Sequence, residues 1–575
     1  MEKEYKNLVL GCQNCKKEFT IEPDDFLFYK KIKVPPPTFC PECRMKRRFV
    51  RRNEKSFYHR VCEKCNKKVI SVFSDESKIH VYCNPCWLKD DWDGKDYGIN
   101  FDESKNFLLQ QDELFHNVPL MNLFAVYSTL TNSDYTNMVS WLKNCYMVTY
   151  SDYGENLIYG SFVNHSKDSV DNLKGHQLEL CYETINCSKC YKTIFSVDCE
   201  SCTDLLFSKN CVGCQNCFGC VNLRNKNYHI FNKPYSKEDY ENELKKYLPL
   251  TNKIIKDVFV ESKKIWINAP QKYIHGWRNF ESTGDYLNDT KNANNCFVGF
   301  GIEDSKFCNF VTGKLTDTYD FTNYGENSSL LYEVLQGGVQ VSNILMSQWA
   351  ISNCRNLEYC LFCENSHDLF GCVGLKKQQY CILNKQYTKE EYLRLREIII
   401  KNMEEIPYID KKGNVYRYGE FFPFELSPFA YNETTAQEFF PLTKGQALAQ
   451  GYKWKDKEEK NYKIDINHSE IPNTINKEII GKIIECGHKG ECNHQCTEAF
   501  KIISEELQFY ARMELPIPEL CPNCRHYNRL LERNPMKLWH RSCMKKGCNN
   551  EFETSYSPDR PDIIYCEKCY QQEVC

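Results

Sequence analysis

The sequence predicts a mainly β protein with small α+β zinc ribbons: a duplicated, β-solenoid-like repeat body flanked by a pair of treble-clef or zinc-ribbon modules at each end. Three observations carry that prediction. Cysteine pairs at the two ends recur with the same long spacings, 24 and then 17 residues. Between them cysteines and aromatics return every 12 residues, and a whole block of the middle reappears at an offset of 152. A period that short suits stacked coils that bury their faces only against their neighbours.

The chain has 575 residues, 42% of them hydrophobic and 14% aromatic, which suits several folded domains and excludes a disordered chain. Its 35 cysteines would suit a disulfide-stapled secreted protein, but Met1 is not followed by a charged and then apolar leader, and no apolar run approaches a membrane span. A cytoplasmic location with reduced thiols is therefore expected. Net charge is −3, yet residues 1–60 hold fifteen Lys and Arg against eight acids, so an anionic partner would meet the N-terminal end.

The first segment, residues 1–101, reads as a tandem four-cysteine zinc-ribbon module. Cys12, Cys15, Cys40 and Cys43 form one expected site, and Cys62, Cys65, Cys83 and Cys86 the next. Two residues between paired cysteines let both sulfurs reach one ion, and two such knuckles complete a tetrahedron. Pairing in sequence order is preferred to a cross-braced arrangement. The acidic, aromatic stretch that follows, WLKDDWDGKDYGINFDE, reads as a surface loop.

Residues 133–250 form the first repeat copy. Cys187, Cys199 and Cys211 are 12 apart, as are Cys190, Cys202 and Cys214, Phe195 and Phe207, and Ser196, Ser208 and Cys220. Register with aromatics is what packing demands, so these cysteines are read as inward ladders, with further metal sites as the rival. The copy closes with FGCVNLRNKNYHIFNKPYSKEDY, where Ser236 and Asp239 mark a helix start. A helix and connector follow. The second copy, residues 284–402, ends in FGCVGLKKQQYCILNKQYTKEEY with Thr388 and Glu391 at the cap positions. It is expected to keep the step at Ser342, Cys354 and Ser366 and at Leu345, Leu357 and Leu369.

Residues 403–475 read as an extended strap with a short helix capped by Thr443 and Gln446 and stopped at Gly451. The last segment, residues 485–575, rebuilds the tandem module: Cys492, Cys496, Cys521 and Cys524, then Cys543, Cys548, Cys566 and Cys569. At its first site Cys486, His488 and His494 compete with Cys492. Sixteen cysteines thus account for four structural Zn2+ ions.

The motifs FCPECR…RRNEKSFYHR, FGCVNLRNKNY…NKPYSKEDY and FELSPFAYNET…FPLTK resemble those of a family of Cys-rich zinc-ribbon proteins of candidate bacterial phyla. The resemblance covers nearly the whole length and implies no activity.

For function, a non-catalytic binding protein is expected, contacting RNA or DNA phosphates through the basic helix after Cys43. Arg44, Arg48 and Arg52 would share one face, with Lys46, Arg47 and Arg51 around it. The C-terminal copy keeps Arg525, Arg529 and Arg533 but replaces the other three by Tyr527, Asn528 and Glu532. The alternative is a protein-interaction scaffold without nucleic acid. A metal- or Cys/His-dependent enzyme, built around His59 or His540, comes third, because no P-loop, GxGxxG, HExxH or GxSxG motif is present.

Overall fold

The computed structural model describes residues 6–457, 462–472 and 475–574. Lys3, one of the basic residues counted above, lies outside them, as do residues 458–461, 473 and 474 of the strap segment. The N-terminal module opens with a hairpin, Leu8–Gly11 against Glu18–Ile21, followed by α1 (Pro23–Ile32) and α2 (Pro41–Phe49). Its second ribbon pairs Tyr58–Val61 with Lys68–Ser71 and ends in α3 (Asn84–Trp87). In both ribbons the second knuckle sits on a helix start, with Cys40 or Cys83 at the cap and proline just inside. An unpredicted helix, α4 (Phe107–Asn117), starts where the Asn106 side chain accepts from the Leu109 N–H.

The body is a parallel β-solenoid, and its rule is finer than the 12-residue period. From Met138 to Phe231 every third residue adopts a left-handed backbone, with φ between 47° and 67°. The chain therefore turns every three residues, and four turns close a 12-residue coil, as in the register Ser161↔Leu173 and Leu173↔Ile185. Left-handed backbone costs a non-glycine residue about 1–2 kcal/mol, least for Asn and Asp. Asn and Asp recur at these corners and bond from coil to coil: Asn144 to Asn156 at 3.2 Å, Asn156 to Asp168 at 2.7 Å, Asn186 to Asp198 at 3.1 Å.

The residue after each corner is buried without exception from Val139 to Cys220. Four such side chains share the bore of each coil, so they are mostly small. Where one is large its neighbour shrinks: a Cβ on Gly154 would come within 2.6 Å of Leu157, and one on Gly175 within 2.4 Å of Leu178. Cysteine suits this bore. Cys199 donates to Val197 O at 3.4 Å and Ser196 to Ile194 O at 3.0 Å, the same carbonyl two residues back. The cysteines from Cys187 to Cys220 are thus inward ladders, and none of them joins a group of close ligating side chains among the described residues.

The first copy ends in a hairpin, α5 (Lys237–Leu244) capped by Ser236, and α6 (Asn252–Asn268), which lies across its face. The second copy begins its stack at Gly276, which pairs with Leu287. Its coils lengthen to 13 residues in the middle, as in Phe321↔Val334 and Ser342↔Arg355, before returning to 12 at Arg355↔His367. The extra residue sits at one corner of successive coils, where two left-handed residues adjoin: Glu326–Asn327, Val339–Gln340 and Ser352–Asn353. This corrects the expected columns. Ser342 and Leu345 are one residue out of register, and the true inward columns are Val341–Cys354–Ser366 and Ile344–Leu357–Leu369. The Cys-for-Ser exchange holds at Ser366 and not at Ser342.

This copy ends in α7 (Lys389–Glu405), with Thr388 and Glu391 forming the capping box. The strap runs through α8 (Thr435–Phe439) and α9 (Lys444–Ala449), the latter capped by Thr443 and Gln446 and followed by Gly451 at φ 80°. The C-terminal module contributes α10 (Ser504–Arg512), which sequence reading also missed, α11 (Pro522–Leu531), the hairpin Trp539–Ser542 with Glu551–Thr554, and α12 (Glu567–Val574).

The ends do not trail from the body. The N-terminal module packs on the second copy, where Phe28 stacks on Tyr319 at 4.0 Å and Tyr29 meets Tyr332 at 5.5 Å. The C-terminal module packs on the first, where Tyr510 meets Tyr182 at 5.6 Å. The linear order of module, copy, copy, module therefore folds into a crossed, pseudo-twofold arrangement.

Candidate metal centres

Five groups of side chains could hold a metal ion, each with ligating atoms within 4.8 Å of one another. Cys12, Cys15, Cys40 and Cys43 form one, and Cys62, Cys65, Cys83 and Cys86 another, so the N-terminal knuckles pair in sequence order. Cys543, Cys548, Cys566 and Cys569 form a third. Sulfurs 2.3 Å from a tetrahedral ion lie about 3.8 Å apart. The pairs Cys15–Cys40 at 3.6 Å, Cys65–Cys83 at 3.8 Å and Cys548–Cys566 at 3.9 Å match that edge. Backbone N–H groups point at the sulfurs, Cys83 to Cys62 at 3.2 Å and Cys566 to Cys543 at 3.3 Å. Burial opposes ionisation of the Cys62 thiol, but these donors and those of Cys65 and Lys64 outweigh it and bring it to about 7.

The remaining site differs from expectation. The group that matches the N-terminal one is Cys486, Cys496, Cys521 and Cys524, with Cys486 in place of Cys492. The backbone shows why: Cys486 N bonds Glu498 O as Cys12 N bonds Lys17 O, so Cys486 is the true counterpart of Cys12. Cys492 lies instead in a fifth group with His488, His494 and Cys524.

The basic helix is corrected more deeply. Arg44, Arg47, Arg48, Arg51 and Arg52 are each at most 3% exposed, so the surface expected to meet phosphates does not exist as a surface. Their partners come from the second copy and the strap. Arg44 Nε lies 2.8 Å from Asp320, and Arg48 Nη1 lies 3.4 Å from Asp320 and 2.7 Å from Glu333. Arg47 pairs with Glu333 at 2.5 Å and with Glu420 of the strap at 2.8 Å. Arg51 has no carboxylate on it; it donates to Gln348 at 3.0 Å and to Leu426 O of the strap at 2.9 Å, and burial lowers it to about 10. Arg52 pairs with Glu54 and reaches across to Tyr150 of the first copy at 3.1 Å. Lys46 alone keeps part of its side chain in solvent, paired to Glu42 at 3.0 Å.

The C-terminal helix repeats the arrangement on the other copy. Arg525 meets Asp171 at 3.0 Å and Glu506 at 3.2 Å, and Arg529 meets Asp171 at 3.0 Å and Glu183 at 2.8 Å. Arg533 crosses to Tyr286 of the second copy. The shared arginines thus seat each module on the body, and the unshared Arg47 and Arg51 hold the strap, which only the N-terminal end carries. A strap residue also ties the two modules together: Glu438 lies 3.3 Å from Lys55 and 3.2 Å from His526.

His59 is exposed, and His540 is exposed between Glu551 and Glu553 at 3.2 and 3.0 Å. Neither joins a metal-ligating group among the described residues. Among them, too, no helix is long and apolar enough to cross a membrane.

No protein-family model matches the chain, and no curated protein matches it. Among solved structures, a "putative acetyltransferase from Desulfovibrio desulfuricans G20" aligns over 51% of this chain and 75% of that one, with 10% identity and a TM-score of 0.11. At that score the likeness carries no argument about fold or activity.

Proposed function

We propose that the protein is a zinc-stabilised, non-catalytic scaffold whose metal modules clasp a rigid repeat body, and whose partners are proteins rather than nucleic acid. Zinc is favoured over other metals because all-thiolate tetrahedra with backbone N–H support are its usual structural site. The observation that supports the reading is the buried arginine ridge at each end. A helix that spends Arg44, Arg47, Arg48, Arg51 and Arg52 on internal carboxylates contributes no phosphate contacts. The zinc sites then act as folding devices, since they fix the start of the helix that carries each ridge.

Metal analysis of the purified full chain should return at least four zinc ions. Chelation should open both ends to protease while residues of the solenoid stay protected. The ratio of absorbance at 260 and 280 nm should be that of protein alone and unchanged by high salt. Fewer than three zinc ions would overturn the metal reading, and salt-sensitive binding of RNA or DNA would restore the nucleic-acid one.

A further inference from the structure

We infer that the first C-terminal ribbon holds two metal ions bridged by the Cys524 thiolate, the second ion taken by His488, Cys492 and His494. The inference rests on the zinc reading above and extends it. Cys524 belongs to both ligand groups, and its sulfur lies 3.9 Å from Cys486 and 3.7 Å from Cys492, at an edge of each tetrahedron. Seven side chains then complete two four-coordinate sites with one sulfur shared.

The origin of the second site is visible in the duplication. Cys12 and Cys15 are separated by two residues, whereas their counterparts Cys486 and Cys496 are separated by nine. That one insertion brings His488, Cys492 and His494, three good ligands at alternating spacings, beside a sulfur that was already there. An enlarged loop needs no histidines to close. These two have a buried Nδ1 with no hydrogen-bond partner among the described residues, a costly state for an imidazole that a metal would relieve. His494 is held in place by stacking on Tyr527, with centroids 5.2 Å apart and planes 6° from parallel, and His488 lies 5.5 Å from it. Charge favours the pair as well. One ion among Cys486, Cys496, Cys521 and Cys524 leaves a net −2 beside a fifth thiolate at Cys492; a second divalent ion with two neutral imidazoles brings five thiolates to a total of −1.

The loop that the second ion closes is also the one that holds the strap. Asn493 donates to Leu442 O at 3.2 Å and accepts from Gln437 at 3.2 Å, and Gln495 donates to Asn432 O. The second ion would therefore pin the strap's far end to the C-terminal module.

Native mass spectrometry of the full chain should find five zinc ions, and the variant His488→Ala/His494→Ala four. A parent with four overturns the second site and leaves the zinc reading standing, whereas a parent with none overturns both. A variant that keeps five overturns the ligand assignment. Cobalt substitution of the parent tests the bridge without relying on a variant's folding: spin coupling through a shared thiolate should leave the low-temperature resonance of the five-cobalt protein with the intensity of three isolated ions. Intensity for five independent ions overturns the bridge.

Discussion

Replacing Asp320 by alanine tests the claim that buried arginines seat the N-terminal module. Asp320 is fully buried and serves two arginines at once, Arg44 at 2.8 Å and Arg48 at 3.4 Å. Arg48 would keep Glu333 at 2.7 Å, but Arg44 would keep only the carbonyl of Phe39 at 2.6 Å. One guanidinium would then be buried without a counter-charge. Breaking a buried pair from one side costs about 3–5 kcal/mol, most of it the penalty on the stranded charge. The expected loss of that size should fall on the contact between α2 and the second copy, so the assay is hydrogen exchange along residues 41–49 at fixed zinc. Amides there should exchange roughly a hundredfold or more faster, because each 1.4 kcal/mol is a factor of ten. Asp171→Ala should do the same to α11 and leave α2 alone, since Asp171 faces Arg525 and Arg529 of the other module. Adding Arg44→Met to Asp320→Ala should recover part of the loss, because it removes the stranded charge. Protection of α2 unchanged within 1 kcal/mol in the single variant would refute the reasoning.

Exchanging Lys46, Arg47 and Arg51 for Tyr, Asn and Glu, the residues of the C-terminal helix, should release the strap and lower stability by on the order of 3–5 kcal/mol, because Glu420 loses its arginine and Arg51→Glu buries a new charge; unchanged melting would contradict the strap role. Burial raises the Glu183 carboxyl, against the pull of Arg529 and with Asp171 adding to the rise, from 4.5 to about 7. A carboxyl raised on folding contributes stability that is complete below its unfolded value and lost as pH climbs through the folded one. The C-terminal seat should therefore weaken from about pH 4.5 to 7, and denaturation at pH 6 and 8 should show a decline in the parent that Glu183→Gln lacks. In the bore, Cys199→Ser should cost about 1 kcal/mol, following Ser196, whereas Cys199→Phe should cost several, and thiol reagents should label native Cys199 and Cys211 slowly; rapid labelling of either would reject the inward ladder.

By itself the sequence determined whatever is local or periodic. Knuckle spacing fixes which sulfurs can share an ion, so both sites of the first module and the last site of the chain were legible from it. Caps at Ser236, Thr388 and Thr443 were legible because a side-chain oxygen three residues ahead of a free N–H needs no tertiary help. The 12-residue step was legible too, although the underlying rule, a corner and an inward residue every third position, was hidden by the variety of residues a corner accepts. Only the tertiary structure decided the rest. A single inserted corner residue moved Ser342 out of its column, since register depends on the cumulative count of coils and not on local composition. Cys486 replaced Cys492 because backbone pairing, not cysteine spacing, sets which residue enters the first ribbon position. Above all, an arginine-rich helix reads the same whether its charges face phosphates or buried carboxylates. Asp320, Glu333 and Glu420 lie some three hundred residues away or more, and only folding the ends back onto the opposite copies brings them within 3.4 Å of those charges.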